Sequence, residues 1–73
     1  MNNENSEYLY TVAELSKILK INKAAVYELI NHKLLIGLKL GSMKVTKASL
    51  LKFLKDYNGK DLSDLDNIKD LVN

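Results

Sequence analysis

The sequence predicts a mainly α (α+β) domain. It should hold three helices, a two-stranded β-hairpin between the second and third, and a weak fourth helix at the C-terminus. Three observations lead there. Apolar residues recur at helical spacing in three stretches, each opened by a Thr or Asn able to cap a helix. Between the second and third stretches the pattern switches to a period of two, broken by Gly41-Ser42. The chain has 73 residues, against roughly 150 for an average domain, so one small core is all it can build.

The elements follow in order. Residues 1–7 are polar and are expected to be disordered, while Glu7-Tyr8-Leu9-Tyr10 is aromatic and extended in character, able to add a strand or brace the core. Thr11-Val12-Ala13-Glu14 fits the capping box, in which a threonine hydroxyl and a Glu three residues later satisfy the first amides reciprocally. Val12, Leu15, Ser16 and Leu19 then share a helical face, and the helix should end near Leu19 or Lys20. Asn22 caps a second helix with Val26, Leu29 and Ile30 inward and Ala24, Tyr27, Glu28 and Asn31 outward. Two short helices joined by about three residues make a helix-turn-helix, with Ser16 as the small residue facing Val26.

Leu38-Lys39-Leu40 and Met43-Lys44-Val45 alternate around Gly41-Ser42, which reads as a hairpin with its lysines outward. Thr46 caps a third helix with Leu50, Phe53, Leu54 and Tyr57 as its apolar face and Asn58-Gly59 as its stop. From Asp61 onward, Leu62, Leu65, Ile68 and Leu71-Val72 suggest the weak fourth helix, capped by Asp61 or Ser63. The boundaries are therefore a segment over 1–7, a domain over 8–57, and an acidic tail over 58–73.

Charge is segregated along the chain. Residues 1–16 carry three glutamates and no base; residues 17–55 carry nine lysines against Glu28 alone; residues 56–73 carry five aspartates against two lysines. The net values are −3, +8 and −3. A cationic middle between acidic ends is the electrostatic footprint of a surface that binds a polyanion. All eleven bases are lysine, a point charge without the arginine fork, so this surface should hold phosphates better than it reads bases. Cysteine is absent and histidine occurs once, which supplies neither disulfides nor a zinc site. No nucleophile–base pair, paired carboxylates or phosphate-cradling glycine loop appears, so an enzyme is not expected and neither is a cofactor. The longest nearly unbroken apolar run, Leu34–Leu38, is far short of the roughly 20 residues that span a bilayer. With no secretory signal at the N-terminus, a cytoplasmic protein is expected.

Helix, tight turn, helix, lysine-bearing hairpin, helix is the order of a small winged helix-turn-helix. The residues Tyr10-Thr11-Val12-Ala13-Glu14-Leu15-Ser16-Lys17-Ile18-Leu19, Asn22-Lys23-Ala24-Ala25-Val26-Tyr27-Glu28-Leu29-Ile30 and Phe53-Leu54 carry a resemblance. Over about residues 8–57 the chain resembles the excisionase-type (MerR-like) helix-turn-helix proteins of phages, integrative elements and small bacterial regulators. It departs from them at Lys20, where the family has its turn glycine, at Glu28, where a base is common, and at the short hairpin tip. The resemblance implies that the second helix enters a major groove of double-stranded DNA by its N-terminal end while the hairpin touches the flanking backbone or minor groove.

On that basis Asn22 and the first-turn amides form an anion site, Lys23 meets a phosphate or base edge, and Ala24 meets a thymine methyl. Tyr27 donates to a phosphate and Asn31 reaches a base. Lys39, Ser42 and Lys44 on the hairpin, and more weakly Lys20 and Lys47, meet the backbone. The implied role is that of a recombination directionality factor beside an integrase, or of a small transcriptional regulator. It would assemble cooperatively or as a homo-oligomer on nucleoid DNA. The alternative is a protein-interaction module that grips a partner with the acidic tail and its apolar stripe (Leu62, Leu65, Ile68, Leu71). His32, alone near a helix end, reads as a C-terminal charge or core-edge residue.

Overall fold

The structure, a computed structural model, describes residues 8–71, so the disorder expected over 1–7 lies outside the described residues. The order is β1 (Leu9–Thr11), α1 (Val12–Leu19), α2 (Lys23–Asn31), β2 (Gly37–Leu40), β3 (Ser42–Thr46), α3 (Lys47–Asp56), β4 (Lys60–Asp61) and β5 (Lys69–Asp70).

Local signals placed the helices. Thr11 Oγ1 accepts from the Glu14 amide at 3.1 Å and Glu14 Oε1 accepts from the Thr11 amide at 2.8 Å, closing the capping box at the start of α1. Asn22 Oδ1 accepts from Ala25 N–H at 2.8 Å, and Thr46 Oγ1 accepts from Ser49 N–H at 3.1 Å, opening α2 and α3 in the same way. Lys20 ends α1 in the left-handed region at φ 61, so the turn keeps its glycine-like geometry around a lysine. The amides of Lys20 and Ile21 both donate to Ser16 O, which closes the turn. A second left-handed lysine, Lys33 at φ 64, reverses the chain after α2. There Leu34 N–H bonds back to Leu29 O at 2.9 Å, and the next residue, Leu35, is fully buried.

The core joins Val12 and Leu15 of α1, Val26, Leu29 and Ile30 of α2, Leu35, Val45 of β3, and Leu50 and Phe53 of α3. Leu54 was expected among them but is 43% exposed. On an α-helix, Leu50 and Phe53 define the buried line, and Leu54 falls on its solvent edge with Leu51. Tyr57 remains at the core's edge, its ring centroid 5.4 Å from that of Phe53.

The hairpin forms, and β1 extends it to three strands in the order β1-β3-β2, with β3 in the centre. β3 follows the expectation, with Met43 and Val45 inward and Lys44 outward, but β2 is the reverse of it. Gly37 stands opposite Val45 and Lys39 opposite Met43, while Leu38 stands opposite Lys44. Directly opposed residues share a face. Val45 is fully buried and Met43 packs on the core, so Gly37 and Lys39 lie on the inner face and Leu38 on the outer. Leu38 and Leu40 are 42% and 59% exposed. The cause is layering: the helices cover one side of the sheet, and Met43 and Val45 take that side.

No fourth helix forms over residues 58–71; the segment is turns and the two-stranded ladder β4·β5. Asp61 Oδ1 accepts from both the amide and the hydroxyl of Ser63, and Asp64 Oδ1 accepts from Asp66 N–H. Short polar side chains that capture nearby amides compete with a helix ladder and win where the apolar pattern is sparse. The ladder sets Lys60 opposite Asp70 and Asp61 opposite Lys69, two opposite-charge pairs across the strands.

Glycine at a left-handed position avoids the steric cost that a side chain carries. Lys20→Gly and Lys33→Gly should each raise stability by about 0.5–1 kcal/mol, and Gly59→Ala, at φ 86, should lower it. Urea unfolding midpoints at constant m-value measure all three.

Candidate nucleic-acid interface

The candidate site is built on α2. Its buried line, Val26-Leu29-Ile30, fixes the rotation of the helix, and at 100° per residue Lys23, Ala24, Tyr27 and Asn31 then fall on the solvent side. All four are exposed, Tyr27 at 44%. The described part of the tail does not cover this side. It packs on the other flank, where Leu62–Asp66 share a cavity of about 590 Å³ with Ala25, Glu28, Leu29 and His32. The hairpin lies on the Ile30 flank: a Cβ at Gly37 would come within 3.0 Å of Ile30 Cγ2 and 2.7 Å of Met43 Sδ. Lys23 and Tyr27 are the exposed residues next to Ile30 around the helix, so the hairpin borders them.

The first turn of α2 is set up for an anion. Asn22 takes the Ala25 amide, while the amides of Lys23 and Ala24 have no acceptor within the helix. No acidic residue occupies this turn, and its first position is Lys23. A cation at the positive end of a helix dipole is locally unfavourable by a few tenths to about 1 kcal/mol. That cost is recovered when a phosphate sits against the amides and the ammonium together. The start of α3 repeats the arrangement with Thr46 and Lys47, again without an acid; the Lys47 amide itself donates to Tyr8 O at 2.8 Å. In α1 the first turn holds Glu14, the ordinary choice.

The remaining predicted residues divide by face. Lys39, on the inner face of β2, stands on the side of the sheet that meets α2. Lys44 stands on the outer face, and its Nζ donates to Leu40 O and Ser42 Oγ, both at 3.0 Å. Lys44 and Ser42 thus satisfy each other at the hairpin tip. Lys20 is exposed in the turn between α1 and α2. Asn22, Lys23, Ala24, Tyr27 and Asn31 thus lie together on α2 and its cap, Lys39 lies on the inner face of β2, and Ser42, Lys44 and Lys47 lie elsewhere.

Glu28 sits near the crest of the exposed side of α2, as the helical period expects, and is the one carboxylate there. One feature here has no local signature in the sequence. His32, at the C-terminal cap of α2, reaches Asp66 of the tail, Nε2 to Oδ1 3.2 Å. Among the described residues, no group of three His, Asp or Glu side chains is placed to hold a metal ion. No described helix is long and apolar enough to cross a membrane.

A family model for the helix-turn-helix domain matches residues 9–57, from β1 to the C-terminal cap of α3. The chain belongs to this helix-turn-helix family. Helix-turn-helix domains bind DNA, and the second helix of the motif characteristically enters the major groove; α2 is the second helix here. No curated protein and no solved structure matches the chain. The matched span ends before β4, so the acidic tail lies outside the shared domain.

The seating of the hairpin on α2 depends on the missing side chain at position 37. Gly37→Val would drive methyl groups into Met43 and Ile30. It should cost about 1–3 kcal/mol of stability, seen as a lowered thermal midpoint and as shifted amide resonances at Ile30 and Met43.

Proposed function

We propose that this helix-turn-helix domain binds double-stranded DNA with the N-terminal half of α2 in the major groove and the β2–β3 hairpin, as a wing, along the adjacent backbone. It would serve as an excisionase-like recombination directionality factor or a small transcriptional regulator acting on nucleoid DNA. One observation carries the reading. The exposed side of α2 that bears Lys23, Ala24, Tyr27 and Asn31 borders a hairpin in a stretch, residues 29–55, with six lysines and no carboxylate. Asn22 and the first-turn amides would clamp a phosphate. Lys23 and Lys39 would neutralise phosphates on either side of it, Ala24 would face a base edge, and Asn31 would reach one on deep insertion. Glu28 would oppose a phosphate and accept from the amino group of a cytosine, so it narrows the sequences tolerated. Cooperative binding of neighbouring copies would add to the specificity of so small a reading head.

The protein-interaction alternative loses much of its surface in this fold. Leu62 and Leu65 of the tail stripe pack on the chain's own core, and only Leu71 of the described stripe is exposed.

Four to six phosphate contacts should give a slope of roughly −4 to −5 for log K against log salt. Lys23→Ala and Lys39→Ala should each reduce the slope by about 1. Lys44→Ala should change it less, since that ammonium already serves Leu40 and Ser42. Fluorescence anisotropy with duplexes from a random selection supplies the measurement; a flat salt response would remove the reading.

A further inference from the structure

We propose that His32 is a proton-operated clasp that fastens the tail to α2, closed when the imidazole is charged and open when it is neutral. The geometry favours the charge. Nδ1 lies 3.0 Å from the backbone oxygen of Glu28, and Nε2 lies 3.2 Å from Oδ1 of Asp66. A backbone carbonyl and an ionised carboxylate can only accept, and a neutral imidazole has a single N–H. Whichever tautomer forms, one ring nitrogen then presents a lone pair to an oxygen lone pair. The imidazolium alone donates to both.

The surroundings favour it further. The Glu28 carboxylate stands 3.8 Å from Nδ1, and Asp64 lines the same cavity from the tail. The cavity-lining residues of α1, the turn and α3 are Leu19, Ile21 and Phe53, which carry no charge. Every ionisable group facing the ring there is an acid. The hydrogen bond to the Glu28 carbonyl, and after it the Asp66 carboxylate, raise the His32 pKa from 6.5, although desolvation opposes them. A raised pKa in the folded state means that the contact contributes fully below pH 6.5 and is lost as pH rises through the folded value.

Opening frees the Asp64–Asn67 turn, in which the Asn67 amide donates to Asp64 O at 2.9 Å. At the acid end, Asp61 holds the same segment through Ser63, side chain first and then amide, and its pKa is lowered. That bond is present above the ordinary carboxylate range and is lost as pH falls through the depressed value. The tail should be most firmly seated between the two.

The test is an NMR titration of the full chain. The His32 Cε1–H midpoint should lie above 6.5, and the amides of Ser63–Asn67 should shift with that same midpoint. Asp66→Asn, a change at an 86% exposed side chain, should lower the midpoint without altering the core resonances. Hydrogen-exchange protection of the Asn67 amide should fall severalfold above the midpoint in the native chain and stay level across it in His32→Gln. A midpoint unchanged by Asp66→Asn, or tail amides that do not follow the His32 titration, would overturn the clasp.

Discussion

Leu15, Val26, Leu35 and Val45 are the largest fully buried side chains, one each from α1, α2, the segment after α2, and β3. Helix, helix, connection and sheet meet at these four, and a chain of 73 residues has no second core to absorb a misplacement. Because Val26 is fixed there, the rotation of α2 about its axis is fixed too. Leu29 and Ile30 follow it inward, and Lys23, Ala24, Tyr27 and Asn31 are left in solvent. The exposed side of α2 is therefore a by-product of packing: it is what remains when the apolar line has been buried.

Elements governed by neighbours in the chain were legible. The Thr11–Glu14 box, the Asn22 and Thr46 caps, and the three-residue turn at Lys20 each depend on groups within five residues of one another. So did the membership of α2's exposed side, which needs the helical period and the position of Val26 alone. The face of β3 was legible from Met43 and Val45, but that of β2 was not, because a period of two separates residues into two sets without saying which set meets the core. Leu38 and Leu40 look like the inner set by composition. Register with the buried Val45 decides otherwise, leaving a leucine pair exposed on an edge strand. The tail failed for a different reason. Its apolar spacing suits a helix, but Asp61 and Asp64 offer closer acceptors for the local amides than a helix would. Pairing of His32 with Asp66 joins two elements far apart in sequence, and no local pattern announces such a contact.

The two left-handed lysines belong together. Lys20 precedes α2 and Lys33 follows it, each at a backbone angle that glycine adopts without strain. Glycine would be the more stable choice at both, yet each position carries a cation beside an end of the helix read as entering the groove. Lys23 repeats the pattern within the helix, set against the dipole. Three local rules are broken around one helix, and all three breaks place positive charge there. Such violations are expected where a surface serves a ligand instead of the fold.

Charge also gives α2 a direction on its ligand. Residues 29–55, which include the hairpin, carry no acid; on the tail flank, Glu28, Asp64 and Asp66 line one cavity. In the proposed binding mode a polyanion would be drawn to the hairpin and repelled from the tail flank, so the helix would enter a groove with the hairpin turned toward the phosphates and the tail turned away. His32 stands on that boundary. Its charge offsets part of the acidic flank when present and leaves it at full strength when lost. The proton that seats the tail would then also soften the repulsion beside the groove, coupling the position of the tail to the strength of the grip on DNA.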